Sequence, residues 1–398
     1  MDGARTRGQP AALSAVAAMT RGPAPHAVLL VGPDGVGKTT LALDLAAGLL
    51  CEAAPENRPC RSCRACRMVD KGGHPDLHRL GPAGPGRQVV IGGPDARYRG
   101  VRELIAELAL MPVEGGARVA IIEAADRINE DAQSALLKTL EEPPAGVVIV
   151  LCADQEDRLM PTVRSRCARV RLGLVGSRDI EAIVADHDLA DPPLAARLGR
   201  LAGGRPGIAL AYARAPDAVL IRAELSRVLL DLTDARPSAR LAAVRAAIPR
   251  AIALSAALSA GDTHQAARRT GRKGVAAAAP STSAVEDDPD DPTGDEAAEG
   301  KGRTVPATER RRAAEVLLSL WLDVARDVTL VGSGGGRSVH DTVLLDELAG
   351  ISATIPPGSA ACFLERAARS AELLASNVSP ELILDALVLA WPRRAATA

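Results

Sequence analysis

The chain has 398 residues, 47% of them hydrophobic, which is enough for two or three domains with their own cores. Lys and Arg number 48 against 49 Asp and Glu, so no global basic field marks a stand-alone nucleic-acid binder. No uninterrupted apolar run reaches the ~18 residues a membrane span needs, so no membrane partner is expected.

Ala11–Met19 reads as an amphipathic first helix. Arg5 and Arg7 give it a superficial likeness to a signal peptide, but an apolar strand follows within a few residues. That strand, Ala27–Val31, runs into Gly32-Pro-Asp-Gly-Val-Gly37-Lys38-Thr39, and a helix is expected over Thr39–Leu50. The Gly-x4-Gly-Lys-Thr pattern turns backbone amides toward phosphate oxygens at Gly32, Gly35 and Gly37. Lys38 adds a point charge at the β/γ-phosphates, and the Thr39 hydroxyl is suited to Mg²⁺, with Thr40 beside it. ATP with Mg²⁺ is the expected ligand. Intrinsic hydrolysis is expected to be weak or absent, because Ala124 stands beside Glu123.

Four cysteines follow at once, as Cys51-x8-Cys60-x2-Cys63-x2-Cys66. Four thiolates at this spacing can close a tetrahedron around a structural Zn²⁺, with disulfides or an iron–sulfur cluster as competing readings. Arg58, Arg61, Arg64 and Arg67 lie between or beside them, either offsetting thiolate charge or simply solvated. The other three cysteines, Cys152, Cys167 and Cys362, are scattered, which fits a reducing cytoplasm.

Further on, Val89–Ile91 reads as a short strand and Val101–Leu110 as a helix. Arg118–Ile122 is a buried strand, Glu130–Glu142 a helix stopped by Pro143-Pro144, and Val147–Cys152 another apolar strand. Apolar strands without alternation, separated by helices, predict a parallel sheet covered on both faces. Glu123, at the end of its strand, suits a Mg²⁺ ligand. The adjacent position, where a glutamate would polarise the attacking water, is Ala124. From about residue 176 the pattern turns helical to the end. Gln265–Ala307 interrupts it with basic, then Ala-rich, then acidic sequence and almost no large apolar residue, so a disordered insertion is expected.

Ser134-Ala-Leu-Leu-Lys138-Thr-Leu-Glu141-Glu142-Pro-Pro and Arg164-Ser165-Arg166-Cys167 complete the motif set. With the phosphate loop and the cysteine insert, they resemble the bacterial clamp-loader branch of the AAA+ family. The resemblance is strong over 1–172, weaker through 215, and then rests on helical character. Trp321-Leu-Asp-Val-Ala-Arg326-Asp327 is similar to a segment of that family's third domain and equally compatible with a helix burying a Trp.

The resemblance implies an α/β AAA+ domain with its zinc module over 1–172, a helical lid over 173–213 and a helical collar over 214–398. It implies that Arg166 is an arginine finger reaching ATP on a neighbouring subunit, a role that suits a permanently charged planar group. It also implies partners: delta- and gamma/tau-type loader subunits in a hetero-pentameric ring, the sliding clamp, and primed DNA, in the cytoplasm at the replisome. Departures from the motor subunits point to weak turnover. They are Ala124, Ser134 where Asn is usual, Gly207 at the second-sensor arginine with Arg205 two residues away, and Cys152-Ala153-Asp154 at the polar sensor. A motor ATPase of the same loader and a small-molecule P-loop phosphotransferase are the competing functions.

Overall fold

The protein, as a computed structural model, is described over residues 1, 3–83, 88–93, 96–114, 116–270, 306–375 and 378–395. Its first part alternates α1 (Pro10–Arg21), β1 (Ala27–Val31), α2 (Lys38–Leu49), α3 (Arg64–Asp70), β2 (Leu77–Leu80) and α4 (Val101–Leu108). There follow β3 (Arg118–Ile122), α5 (Glu130–Glu141), β4 (Val147–Ala153), the single turn α6 (Pro161–Arg164) and β5 (Ala168–Arg171). The strands form one parallel sheet in the order β2-β3-β4-β1-β5.

Every residue of β1, β3 and β4 is buried because helices cover both faces. Successive side chains alternate between two cores. Val28 and Leu30 face a cluster with Leu41 and Leu45 of α2, while Leu29 and Val31 face one with Leu104 and Leu136. The expected parallel sheet is therefore present, with two differences. Val89–Ile91 is not a ladder strand: Val89 makes one isolated bridge to Ile128 and then turns toward α4. In its place β2, Leu77-His-Arg-Leu80, pairs with β3, and the Arg-rich β5 pairs with β1 at the opposite edge. Both are edge strands with a solvated face, so they lack the continuous apolar run of a central strand.

The second part is helical: α7 (Ser177–Asp186), α8 (Pro192–Leu201), α9 (Pro206–Arg214), α10 (Pro216–Asp231), α11 (Pro237–Thr270), α12 (Ala307–Gly332), α13 (Leu345–Thr354), α14 (Ser359–Ala375) and α15 (Pro380–Ala390). Buried side chains from Val175 to Trp391 form one continuous apolar cluster, which includes Trp321 and the edge-to-face pair Phe363–Trp391. The window Pro237–Leu258 of α11 has the length and hydropathy of a bilayer span. Here it packs on α9, α10, α12 and α15 through Val244, Ala247, Ala251 and Leu254. Of the expected insertion, residues 265–270 instead continue α11, a short Gln/Ala/Arg run that suits a helix end; 271–305 lie outside the described residues.

Candidate functional site

Parallel pairing brings the site together at the carboxyl ends of the strands, where ligands of open α/β sheets bind. Val31 is the register partner of Ala153 and Ile122 that of Leu151, so the phosphate loop, Asp154 and Glu123 leave the sheet side by side. Gly37 caps α2 with a φ of 102°, a left-handed conformation natural to glycine, so the chain turns sharply into the helix. The loop opens into a cleft of about 2170 Å³ lined by Gly35, Gly37, Lys38, Thr39, Thr40 and Glu123, with Arg311 and Arg312 of α12 also on its wall. That is larger than a single small-molecule pocket and is a cleft between the sheet domain and the helices. Gly32 does not line it and contributes a carbonyl to Lys38.

Lys38 is 8% exposed and fully engaged. Its Nζ bonds the carbonyl oxygens of Gly32 and Pro33, each at 2.8 Å, and ion-pairs with Asp154 Oδ1 at 2.6 Å. Burial raises the Asp154 pKa, opposed by Lys38. Asp126 also lines the cleft, and its Oδ1 accepts the Asp154 backbone N–H at 3.1 Å. Glu123 is paired as well, with its Oε1 accepting both Arg79 Nε at 3.0 Å and the Arg79 guanidinium terminus. Ala124 adopts φ 51°, ψ 53°, so the missing carboxylate coincides with a left-handed turn that leads the chain away from the sheet.

The lid side is built from α9. Gly207 N–H donates to Gly35 O at 2.8 Å, and a Cβ on Gly207 would stand 3.2 Å from both Cα and O of Gly35. Any side chain there would require the phosphate loop to give by a few tenths of an ångström. Arg205 turns back to Ala202 O at 3.3 Å and does not line the cleft.

Arg166 lies outside its own phosphate cleft. Its guanidinium is held by Glu141 Oε1 at 2.6 Å and by Thr162 O at 2.9 Å. The two motifs 134–144 and 164–167 therefore meet on one half-exposed surface.

The cysteine cluster forms immediately beyond α2. The four sulfurs lie within 4.8 Å of one another, with Cys51 and Cys63 4.0 Å apart. Tetrahedral sulfurs about 2.3 Å from zinc stand roughly 3.8 Å from each other, so the residues fit the metal. Backbone N–H groups of Cys60, Cys63 and Cys66 donate to the sulfurs of Cys51, Cys60 and Cys63 at 3.4, 3.3 and 3.4 Å, the arrangement that stabilises thiolates. The Cys60 thiol is lowered to about 6 by the Ser62 hydroxyl and then the Cys63 N–H, while burial pushes Cys51 and Cys66 up. Bound zinc would cross-link the insert and carry no reaction.

The interleaved arginines do not point their charge into the cluster. Arg58 bonds Ala53 O at 2.8 Å, Arg64 pairs with Glu114 at 2.6 Å, and Arg67 bonds Ser62 O. Arg61 reaches Gly3 O and Asp70 at 2.8 and 2.7 Å and also pairs with Asp44. Asp44, in the middle of α2 and 0% exposed, also accepts the Arg5 and Thr6 backbone N–H groups and the Thr6 hydroxyl. It ties the N-terminal segment and the cysteine loop to the helix that opens with Lys38.

Sequence reading missed Asp44, Arg79 and the role of Asp154. Only Asp154 had a usable signal: an acid one residue past a strand that neighbours the phosphate-loop strand.

Residues 9–175 match the family model described as DNA polymerase III, delta subunit. Among similar curated proteins is DNA polymerase III subunit delta' of Pseudomonas aeruginosa, 37% identical over 183 residues, 46% of this chain and 53% of that protein. Subunit delta' of Escherichia coli is 35% identical over 200 residues, 49% and 57% of the two chains. Subunit gamma of Buchnera aphidicola is 32% identical over 155 residues, 39% and 40%. The chain spans about half the length of the delta' relatives it matches.

Proposed function

We propose, on the premise that this chain belongs through residues 9–175 to the DNA polymerase III delta subunit family, that it serves as a delta-prime-like, mostly static subunit of the clamp loader of the replicative polymerase. In this reading residues 1–172 are its AAA+ domain, 173–213 a lid and 214–398 a collar that joins delta- and gamma/tau-type subunits in a five-membered ring. The ring loads the sliding clamp onto primed DNA, in the cytoplasm at the replisome. The four cysteines hold a structural Zn²⁺. The phosphate loop binds ATP with Mg²⁺ and hydrolyses it poorly.

The observation that carries the proposal is the contrast between the two ends of the chemistry. The chain's own cleft has no carboxylate at Ala124, and its lysine is engaged by Asp154. Arg166, meanwhile, sits outside that cleft on a half-exposed surface where a neighbour's phosphate can meet it. A planar, always-charged guanidinium stabilises charge on a transferring phosphoryl group, and such fingers are worth on the order of 10³-fold or more in comparable NTPases.

The test is reconstitution with purified partner subunits, clamp and primed DNA. Arg166→Ala should leave the isolated chain folded and its nucleotide affinity unchanged, yet slow hydrolysis and clamp loading by the assembled loader. Wild-type loading by that complex would refute the trans role. Robust ATP turnover by the isolated chain, abolished by Lys38→Ala, would instead assign it as a motor subunit.

A further inference from the structure

The phosphate-loop lysine has no free hydrogen-bonding capacity. An ammonium group carries three N–H donors, and Lys38 Nζ has three partners: Gly32 O, Pro33 O and Asp154 Oδ1. Two are neutral carbonyls from the loop itself. Asp154 alone brings charge, at the shortest of the three distances, 2.6 Å. It is also held in place, because it follows Ala153, the register partner of Val31, and its own N–H is bonded to Asp126. The Lys38 side chain is 8% exposed and that of Asp154 32%, so water screens the pair only in part.

From this geometry we propose that Asp154 is an affinity-setting latch on the nucleotide site: it occupies Lys38 in the free chain, and a nucleoside triphosphate must displace it to bind. The inference rests on the reading of the loop as an ATP site and adds the residue that controls its occupancy. A triphosphate reaching Lys38 meets the Asp154 carboxylate in its path and, once bound, stands beside a like charge. Both effects weaken binding; an amide of the same shape removes the like charge and leaves only a neutral hydrogen bond to compete for Lys38.

The experiment compares wild type, Asp154→Asn and Lys38→Ala/Asp154→Asn, each as the full chain, by equilibrium titration with a fluorescent ATP analogue and Mg²⁺. Thermal melts verify folding, and Asp154→Ser is a second variant if the amide does not fold. The expected result is binding about tenfold or more tighter in Asp154→Asn, lost again when Lys38 is removed. Wild type binding as tightly as Asp154→Asn would overturn the latch while leaving the ATP site intact. No binding by either protein would overturn the ATP reading and the latch with it. Weaker binding in Asp154→Asn would overturn the latch by making Asp154 part of the ligand site.

Discussion

The two ends of α2 carry the two strongest motifs in the chain, and they are in opposite states. Beyond its C-terminus, four sulfurs converge within 4.8 Å, and the arginines threaded among them send their charge elsewhere. At its N-terminus the phosphate loop is complete in sequence, yet its lysine is saturated by the protein's own oxygens. The difference is between ligands that need only each other and a binding group that has local competitors. A motif reports the ligating atoms; whether they are available depends on what the rest of the fold places against them.

The widest break in this comparison would come from the metal. Protein purified without chelator should carry one zinc per chain, and Cys63→Ser or Cys66→Ser should lose it and melt many degrees lower, because structural zinc contributes folding energy directly. Elemental analysis finding iron, or nothing, would remove the contrast between the two ends.

Asp44 tests whether those ends are mechanically joined. Asp44→Ala leaves Arg61 and two N-terminal N–H groups without their buried partner, and should cost about 3–5 kcal/mol in urea unfolding. A loss below 1 kcal/mol would mean that the segment and the cysteine loop hold to α2 without it.

At the phosphate end, Gly207→Arg should destabilise by about 1–3 kcal/mol through crowding of Gly35 and should not create ATP turnover. Gained hydrolysis would show that the missing sensor, and not the local packing, limits the site.

The smallest effect is expected at Ala124. Ala124→Gly relieves a left-handed alanine, worth about 1–2 kcal/mol, against a glycine entropy cost of roughly 0.5–1 kcal/mol. The net gain in a denaturation midpoint should therefore be slight but positive. A loss would show that the turn at 124 is not strained.

What was legible in the sequence follows the range of the forces. The central strands Ala27–Val31 and Arg118–Ile122 agree with the sequence reading because complete burial writes itself as a continuous apolar run. The edge strands β2 and β5 were missed because Arg79, Arg169 and Arg171 face water there, and pairing, not composition, makes them strands. Val89 and Ile91 misled in the other direction: Val89 is buried under α4 and α5 without joining the ladder. In the site, the ligand sets were readable because each is local. Pairings such as Lys38 with Asp154, Glu123 with Arg79 and Arg61 with Asp44 join distant stretches of chain, and only tertiary packing reveals them.

The continuous core from Val175 to Trp391 decides where the chain can be cut. A fragment ending at 213 would strip Ala209 and Tyr212 of their cover on one side and uncover Ala218 and Leu225 on the other, so neither piece should behave well alone. The natural scissile point lies in the short link Gly173-Leu174, after β5 has closed the sheet edge and before Val175 enters the second core. Expression of 1–173 and 174–398 as separate polypeptides is therefore the dissection that respects the molecule's own seams.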